Sequence, residues 1–145
     1  MPDDYSISVD WSAIDRLSGA VPGASDLTAK NIALHLLGEL KDRTPKAKTG
    51  QLHSSWMISQ KENGTWVVGS PYKWAEYVNT GTRPHKAPFD AIREWAEFKG
   101  LPWFPIWLAI ARRGTRANPY IDRSIEATQK MVSVIANQAI AEVLA

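Results

Sequence analysis

The spacing of apolar residues changes along the chain and predicts both strands and helices. Near the start, apolar and polar residues alternate as in a strand, with the apolar positions at Tyr5, Ile7, Val9 and Trp11. Residues 12–17 can add a helical turn or two. The next apolar stripe has the three- and four-residue spacing of an amphipathic helix and comprises Leu27, Ile32, Ala33, Leu36, Leu37 and Leu40. We expect Ser25 or Asp26 to cap this helix and Thr44-Pro45 to end it.

A β-hairpin is predicted between Leu52 and Ser70, because Asn63-Gly64 is a strong signal for a two-residue type I′ turn. That turn would place Ile58 opposite Gly69 and Gln60 opposite Val67. One face would then carry Trp56, Ile58 and Val67, and the other Met57, Trp66 and Val68. Neither face is plainly polar, so we expect helices to cover one face and a neighbouring subunit to cover the other.

The second half of the chain is predicted to be mainly helical. Residues 72–78 are too few for periodicity to distinguish a bent strand from a helical turn. Pro88 favours a helix that ends at Gly100, and a shorter helix is predicted over 105–111, so the two would form a helical insertion. With Asn118 as cap and Pro119 in the first turn, a long C-terminal helix follows, and its apolar seam contains Ile121, Ile125, Val132, Ile135, Ala139 and Val143. The seam can pack within the protomer or on another copy, and the intramolecular packing is favoured.

These elements predict one α+β domain over 1–145, in which 1–24 form an N-terminal arm and 25–145 the domain proper. A small antiparallel β-sheet would be packed by an N-terminal helix and a long C-terminal helix, with the helical insertion between them. The 145 residues include 44% hydrophobic and 22% charged residues and no cysteine, so packing must supply the stability. No apolar run reaches the ~20 residues of a membrane span, and the acidic start does not resemble a secretory signal, so we expect a cytoplasmic origin.

Positive charge is concentrated in three segments, although the net charge is only +2. Residues 41–53, 81–86 and 112–116 hold nine Lys and Arg against one acid, Asp42, which gives +8. The remaining eight basic and fourteen acidic residues give −6. These segments contain three basic turns, Thr44–Leu52, Gly81–Arg83 and Gly114–Arg116, and each leads to an aromatic residue, respectively Trp56, Phe89 and Tyr120. The repeated pattern predicts one docking surface, although solvated loop charge is the simpler alternative.

No pattern in the chain predicts catalysis, a metal site or a cofactor. His35, His53 and His85 are not spaced as ligands of one metal ion. The adjacent Ser54 and Ser55 lack a carboxylate partner that the sequence could place. There is no phosphate-binding Walker loop and no dinucleotide motif. We therefore expect a non-enzymatic protein without cofactors.

Seven tryptophans are many for this length, and three of them, Trp95, Trp103 and Trp107, fall within thirteen residues. Most tryptophans pack into a core, but they also anchor protein interfaces. We expect the segment from Trp103 through Phe104 to Trp107 to be such an interface.

The order of three blocks in the chain resembles the head-tail joining and tail-completion proteins of long-tailed bacteriophages. The blocks are Thr44-Pro45 through Thr49-Gly50 to Ser55-Trp56, then Tyr72 through Tyr77-Val78 to Gly81-Thr82-Arg83, then Gly114-Thr115 to Pro119-Tyr120-Ile121. The resemblance covers about residues 25–145. The family has a Glu before the Gly-Thr pair of the second block, where this chain has Asn79-Thr80 before Gly81, and Glu76 lies upstream.

The resemblance implies a structural protein of the virion, assembled in the host cytoplasm, that forms a homo-oligomeric ring of six copies in the phage neck. Its partners would be the head connector, adaptor or stopper proteins on one side and the tail tube or tail terminator on the other, with double-stranded DNA passing through. No membrane is involved. A ring closed by head-to-tail contacts requires two different patches on each protomer.

Three sets of candidate contact residues follow. The neighbouring subunit would meet Met57, Trp66 and Val68, and the adjacent ring would meet Trp103, Phe104 and Trp107. Either DNA or the acidic rim of a partner would contact Lys46, Lys48, Arg83, Lys86, Arg112, Arg113 and Arg116. The main alternative function is a free-standing nucleic-acid-binding module with basic loops, and a small hydrolase ranks last.

Overall fold

The computed structural model describes residues 5–8, 23–46, 50–62, 65–72 and 74–145. Its strands are β1 (Tyr5–Ser8), β2 (Met57–Gln60) and β3 (Trp66–Ser70). Its helices are α1 (Ala24–Arg43), α2 (Gln51–Ser55), α3 (Trp74–Thr80), α4 (Phe89–Lys99), α5 (Trp103–Arg113), α6 (Tyr120–Gln129) and α7 (Val132–Leu144). The α+β class, with a small sheet packed by α1 and the C-terminal helices, is confirmed. Several predicted features lie outside the described residues, namely Val9, Trp11, the turn at 12–17, Lys48 and the Asn63-Gly64 turn.

The three strands form an antiparallel sheet in the order β1-β3-β2, which confirms the hairpin. The predicted register is wrong by one residue, because Ile58 lies opposite Val68 and not Gly69. The Lys61 amide donates to the Thr65 carbonyl at 2.9 Å, so three residues, 62–64, connect the paired positions. A three-residue loop instead of a two-residue turn shifts the pairing by one.

The corrected register changes which side chains share a face of the sheet. Ile58, Trp66 and Val68 lie on one face and pack against the core, together with Ile7 of β1. Met57 points to the other face, where it is 60% exposed. The predicted grouping of Met57 with Trp66 and Val68 is therefore wrong, since a shift of one residue reverses the face of a whole strand.

Helix α1 spans 20 residues and connects the sheet to the C-terminal helices. It starts after Gly23, whose φ of 83° is in the left-handed region, so the N-cap position is a glycine and neither of the two predicted caps. Asp26, one of the two predicted caps, instead accepts hydrogen bonds from Trp66 Nε1 at 3.1 Å and Gln60 Nε2 at 3.2 Å. The helix ends at Thr44 as predicted, where the Thr44 amide donates to the Leu40 carbonyl at 2.8 Å.

The main core lies between α1, the sheet, α2, α3 and α6. Its buried members are Ala33, Leu36, Leu40, Leu52, Trp56, Val68, Ala75, Tyr120 and Ile121. The rings of Trp56 and Tyr120 meet edge to face, with centroids 6.3 Å apart. A smaller cluster joins Ile32 of α1 to Ile135 of α7. Most of the predicted apolar stripe of α1 is thus used within the protomer.

The C-terminal segment is helical but is divided into α6 and α7 at Lys130–Met131. The Met131 amide bonds to the Thr128 carbonyl at 3.0 Å, a tight i to i−3 contact that closes α6. Both helices pack on α1, which confirms the intramolecular packing of the predicted seam. The first turn of α6 follows Pro119, and the predicted cap Asn118 forms no side-chain bond to it.

Four shorter helices confirm, decide or correct the remaining predictions. Residues 51–55, expected to begin the hairpin, form helix α2, and the undecided stretch 72–78 contains most of helix α3. Helix α4 confirms the prediction that begins at Pro88. Helix α5 is longer than expected, because it already starts at Trp103 and includes Pro105 in its first turn, where a proline costs no hydrogen bond.

Candidate functional site

Two of the three predicted basic turns meet in the structure. We call the pair Gly81–Arg83 and Gly114–Arg116 the double turn. Each glycine ends a helix, because the Gly81 amide donates to Tyr77 at the end of α3 and the Gly114 amide donates to Ile110 at the end of α5, both at 2.8 Å. The two turns therefore mark the entry to and exit from the insertion, residues 84–113. We call the rest of the described chain the body.

The double turn is closed by hydrogen bonds between its two threonines. The Thr82 amide donates to the Thr115 carbonyl at 3.2 Å. The Thr115 amide donates to Thr82 Oγ1 at 3.0 Å, and the two hydroxyl oxygens are 2.9 Å apart. Residues 33 positions apart in the sequence are thus held in one fixed arrangement.

The two glycines allow the backbones of the double turn to touch. A Cβ on Gly114 would lie 1.9 Å from the Thr82 carbonyl oxygen, and one on Gly81 would lie 2.6 Å from that of Thr115. Both glycines also have positive φ values, 76° and 77°. Any side chain at either position would force the turns apart, since real Cβ atoms do not approach backbone so closely.

Asn79, next to the double turn, fixes α3 to α6. Its side chain is buried, its Oδ1 accepts the Ile121 amide at 2.9 Å and the Asp122 amide at 3.3 Å, and its Nδ2 donates to Asp122 Oδ2 at 3.2 Å. Asn79 thereby caps α6 from a different element. The Asn118 amide donates to the Val78 carbonyl at 2.9 Å, and the Tyr120 hydroxyl donates to the Ala75 carbonyl at 2.9 Å. Sequence reasoning missed this cap, because only the tertiary contact of α3 with α6 creates it.

Most of the predicted basic contact residues lie at the double turn. Five of them are exposed and lie on its two segments or within a few residues of them, namely Arg83, Lys86, Arg112, Arg113 and Arg116. His85 was not predicted as a contact, but its Nδ1 lies 2.9 Å from the Arg83 carbonyl and its amide donates to the Ile110 carbonyl at 3.4 Å. These bonds hold the segment after Arg83 against the end of α5.

The first predicted basic turn is located at a different groove. Pro45 and Lys46 line this groove together with Gln51, Leu52, Trp74, Val78, Trp95 and Lys99. It lies between the body and α4. Within the described part of the chain, no hydrogen bond connects this groove to the double turn. The predicted single surface is therefore divided between two places.

The aromatic residues that follow the basic turns lie in two different regions. Trp56 and Tyr120 are buried together in the core of the body. Phe89 belongs to the insertion, where it stacks on Trp107 with centroids 4.6 Å apart and meets Trp103 edge to face at 5.9 Å. The Trp107 indole donates to the Ala87 carbonyl at 2.8 Å. Phe104 completes this aromatic cluster, defined as Phe89, Trp103, Phe104 and Trp107.

Helix α5 is apolar over most of its length but buries none of its residues. Phe104 is 53% exposed, and Trp103 and Trp107 are partly exposed. The helix packs mainly on α4, and neither helix of the insertion packs comparably on another helix or strand of the described chain. The insertion therefore presents an apolar and aromatic surface that the described elements of the protomer do not cover.

The other predicted interface residues are not brought together. Val68 is 2% exposed within the core, so its side chain does not reach the surface of the protomer. Trp66 is partly buried and donates to Asp26. Of the three, Met57 is the one with a largely exposed side chain. The candidate interfaces therefore reduce to Met57 on the sheet and the aromatic cluster on the insertion.

The described residues contain no group of three metal-ligating side chains. No helix among them has both the length and the apolar character to cross a membrane. Comparison with protein-family models, with curated proteins and with solved structures finds no match to this chain.

Proposed function

We propose that this chain is a structural subunit that assembles with its own copies into a ring in the neck of a long-tailed bacteriophage, joining the head connector to the tail tube. The observation that carries the proposal is helix α5, which is apolar yet buries no residue in its own protomer. A contiguous apolar surface of this kind is typical of a site for another polypeptide. Tryptophan and phenylalanine at its centre are suited to anchor such a contact.

The insertion is held in a defined arrangement that suits a contact element. The hydrogen-bonded double turn fixes its root, and the stack of Phe89 on Trp107 holds the start of α4 against α5. A contact element that is already rigid loses less conformational entropy when it binds. Met57, on the outer face of the sheet, offers a second and different patch. Two unlike patches are what a head-to-tail ring requires.

The biological setting is supported by the three sequence blocks that resemble neck proteins. The second block contains Gly81-Thr82-Arg83 and the third contains Gly114-Thr115. These two segments are hydrogen bonded to each other in the double turn. The blocks consist of turn and packing residues, which favours a scaffold over an enzyme. The departure from the family at Asn79 has a structural role here, since Asn79 caps α6.

The proposal is tested first by the assembly state of the purified chain. Native mass spectrometry and analytical ultracentrifugation should detect a ring of about six copies that forms as concentration rises. Phe104→Ser should shift the equilibrium to folded protomers. Phe98→Ser is a matched control, because Phe98 is 52% exposed on α4 but lies outside the aromatic cluster. A monodisperse protomer at high concentration would contradict ring assembly, and equal losses in both variants would indicate non-specific association.

The phage setting needs a separate measurement. Quantitative mass spectrometry of purified particles should find the chain at about six copies per particle if it forms one neck ring. Its absence from particles would remove the neck assignment while leaving ring assembly intact.

A further inference from the structure

The double turn concentrates positive charge that forms no ion pair with any other residue the structure describes. The sequence contains no Asp or Glu over 77–89 or over 98–121. Both stretches meet at the double turn, where the cations are Arg83, Lys86, Arg112, Arg113 and Arg116. Among the described residues, the ion pairs are formed by other side chains, on α1, α4 and α6. These five charges repel one another, and no acidic side chain in the described part of the chain pairs with them.

The geometry brings the two groups of cations close together. Arg83 directly follows Thr82, Arg116 directly follows Thr115, and these two threonines are hydrogen bonded to each other. Arg112 and Arg113 occupy the last turn of α5, immediately before Gly114. The hydrogen bonds between Thr82 and Thr115 hold the two segments together. The backbone positions of the cations are therefore set before any ligand arrives.

The groove beside these charges has polar chemistry. It is shallow and is lined by Tyr77, Thr80, Gly81, Thr82, Arg83, Pro84 and His85. Hydroxyl, imidazole and guanidinium groups are donors to phosphate oxygens. Phe89 and Phe104, two exposed aromatic side chains of the kind that anchor a protein partner, belong to the aromatic cluster and do not line this groove. The groove therefore suits a phosphate backbone better than an acidic protein.

We propose that the double turn binds the phosphate backbone of double-stranded DNA. A single strand is less suited to the site, because sites for single strands stack successive bases on several aromatic side chains. In this groove Tyr77 is the one exposed large aromatic side chain of the lining. Binding through phosphates alone is independent of base sequence. This inference does not depend on ring assembly or on the phage setting, since each protomer carries the complete double turn.

The test is the salt dependence of binding to a labelled duplex of about 20 base pairs, followed by fluorescence anisotropy on the full chain. If all five cations contact phosphates, the logarithm of the association constant should fall with a slope of about −4.5 against the logarithm of salt concentration. That slope corresponds to an affinity loss of about 500-fold between about 50 and 200 mM salt.

A double variant, Arg112→Gln with Arg116→Gln, should reduce the slope to about −2.7 and the loss over the same salt range to about 40-fold. The control variant is Lys61→Gln with Lys130→Gln, which also removes two positive charges, one in the hairpin and one between α6 and α7. It should keep a slope close to about −4.5. Both pairs are exposed, so the variants should fold, as circular dichroism can verify.

Four results would overturn the proposal: no binding at about 50 mM salt, an equal change of slope in the control variant, displacement of the duplex by polyglutamate at equal charge concentration, or tighter binding of the corresponding single strand. The Phe104→Ser variant separates this site from ring assembly. This variant should no longer form the ring, but its protomers should bind the duplex with the same dependence on salt concentration.

Discussion

Trp56 and Trp107 show that the body and the insertion hold their aromatic residues in different ways. Trp56 is 1% exposed and lies among aliphatic side chains, with its ring edge to face against Tyr120. Trp107 is only partly buried, stacks on Phe89 and donates its indole hydrogen to the Ala87 carbonyl. The body is thus stabilised by a closed core. The insertion is held by stacked rings and by hydrogen bonds at its root, and its apolar surface remains available to a partner.

The largest expected difference between the two regions concerns these two tryptophans. Trp56→Ala should lower the free energy of unfolding by about 3–5 kcal/mol, because it leaves a cavity in the core. Trp107→Ala should cost only about 1–2 kcal/mol, because less apolar area is buried there. Urea unfolding followed by circular dichroism measures both. If Trp56→Ala does not fold, Trp56→Phe provides a milder change. Equal losses in the free energy of unfolding at Trp56 and Trp107 would contradict the distinction between a closed core in the body and a partly open insertion.

The double turn gives the next largest effect. Gly114→Ala should destabilise by about 2–4 kcal/mol, since it combines a left-handed φ with a backbone clash. Gly100→Ala is the control, because Gly100 has a φ of 69° but open space around its Cα, and it should cost only about 1 kcal/mol. Thermal unfolding distinguishes the two. Similar losses would mean that the contact between Gly114 and Thr82 contributes little.

The attachment of α6 to α3 should give an intermediate effect. Asn79→Ala removes the acceptor for the Ile121 and Asp122 amides and should cost about 1–2 kcal/mol. Asn118→Ala, at the cap position that the sequence favoured, should change stability by less than about 0.5 kcal/mol. Chemical denaturation of the two variants measures this difference. A larger loss of stability for Asn118→Ala than for Asn79→Ala would show that Asn118, and not Asn79, caps α6.

The smallest expected effect on stability is at the exposed edge of the aromatic cluster. Phe104→Ser in a dilute protomer should change the free energy of unfolding by less than about 0.5 kcal/mol, because its side chain is half exposed. Its effect on assembly should nevertheless be large. A loss of protomer stability comparable to that of Trp107→Ala would show that Phe104 serves the insertion's own packing.

Much of the fold could be predicted from local signals. The helix that ends at Thr44, the hairpin and the pair of helices in the insertion are each indicated by apolar spacing together with Gly or Pro at the boundary. The candidate site was predicted in part. The two Gly-Thr-Arg turns and the aromatic residues of α5 were identified, but His85 and Asn79 were not, because their roles depend on contacts with α5 and α6. The strand register was wrong because Asn-Gly is compatible with more than one loop length.

The sequence by itself determined most of the elements of this protein, because backbone restrictions and apolar periodicity operate over a few neighbouring residues. Only the tertiary structure decided that Val68 faces the core, that Asn79 caps α6 and that the turns at Gly81 and Gly114 meet. Each of these features depends on residues that are distant in the chain. Their free energy comes from packing and hydrogen bonds that exist only after the elements have come together.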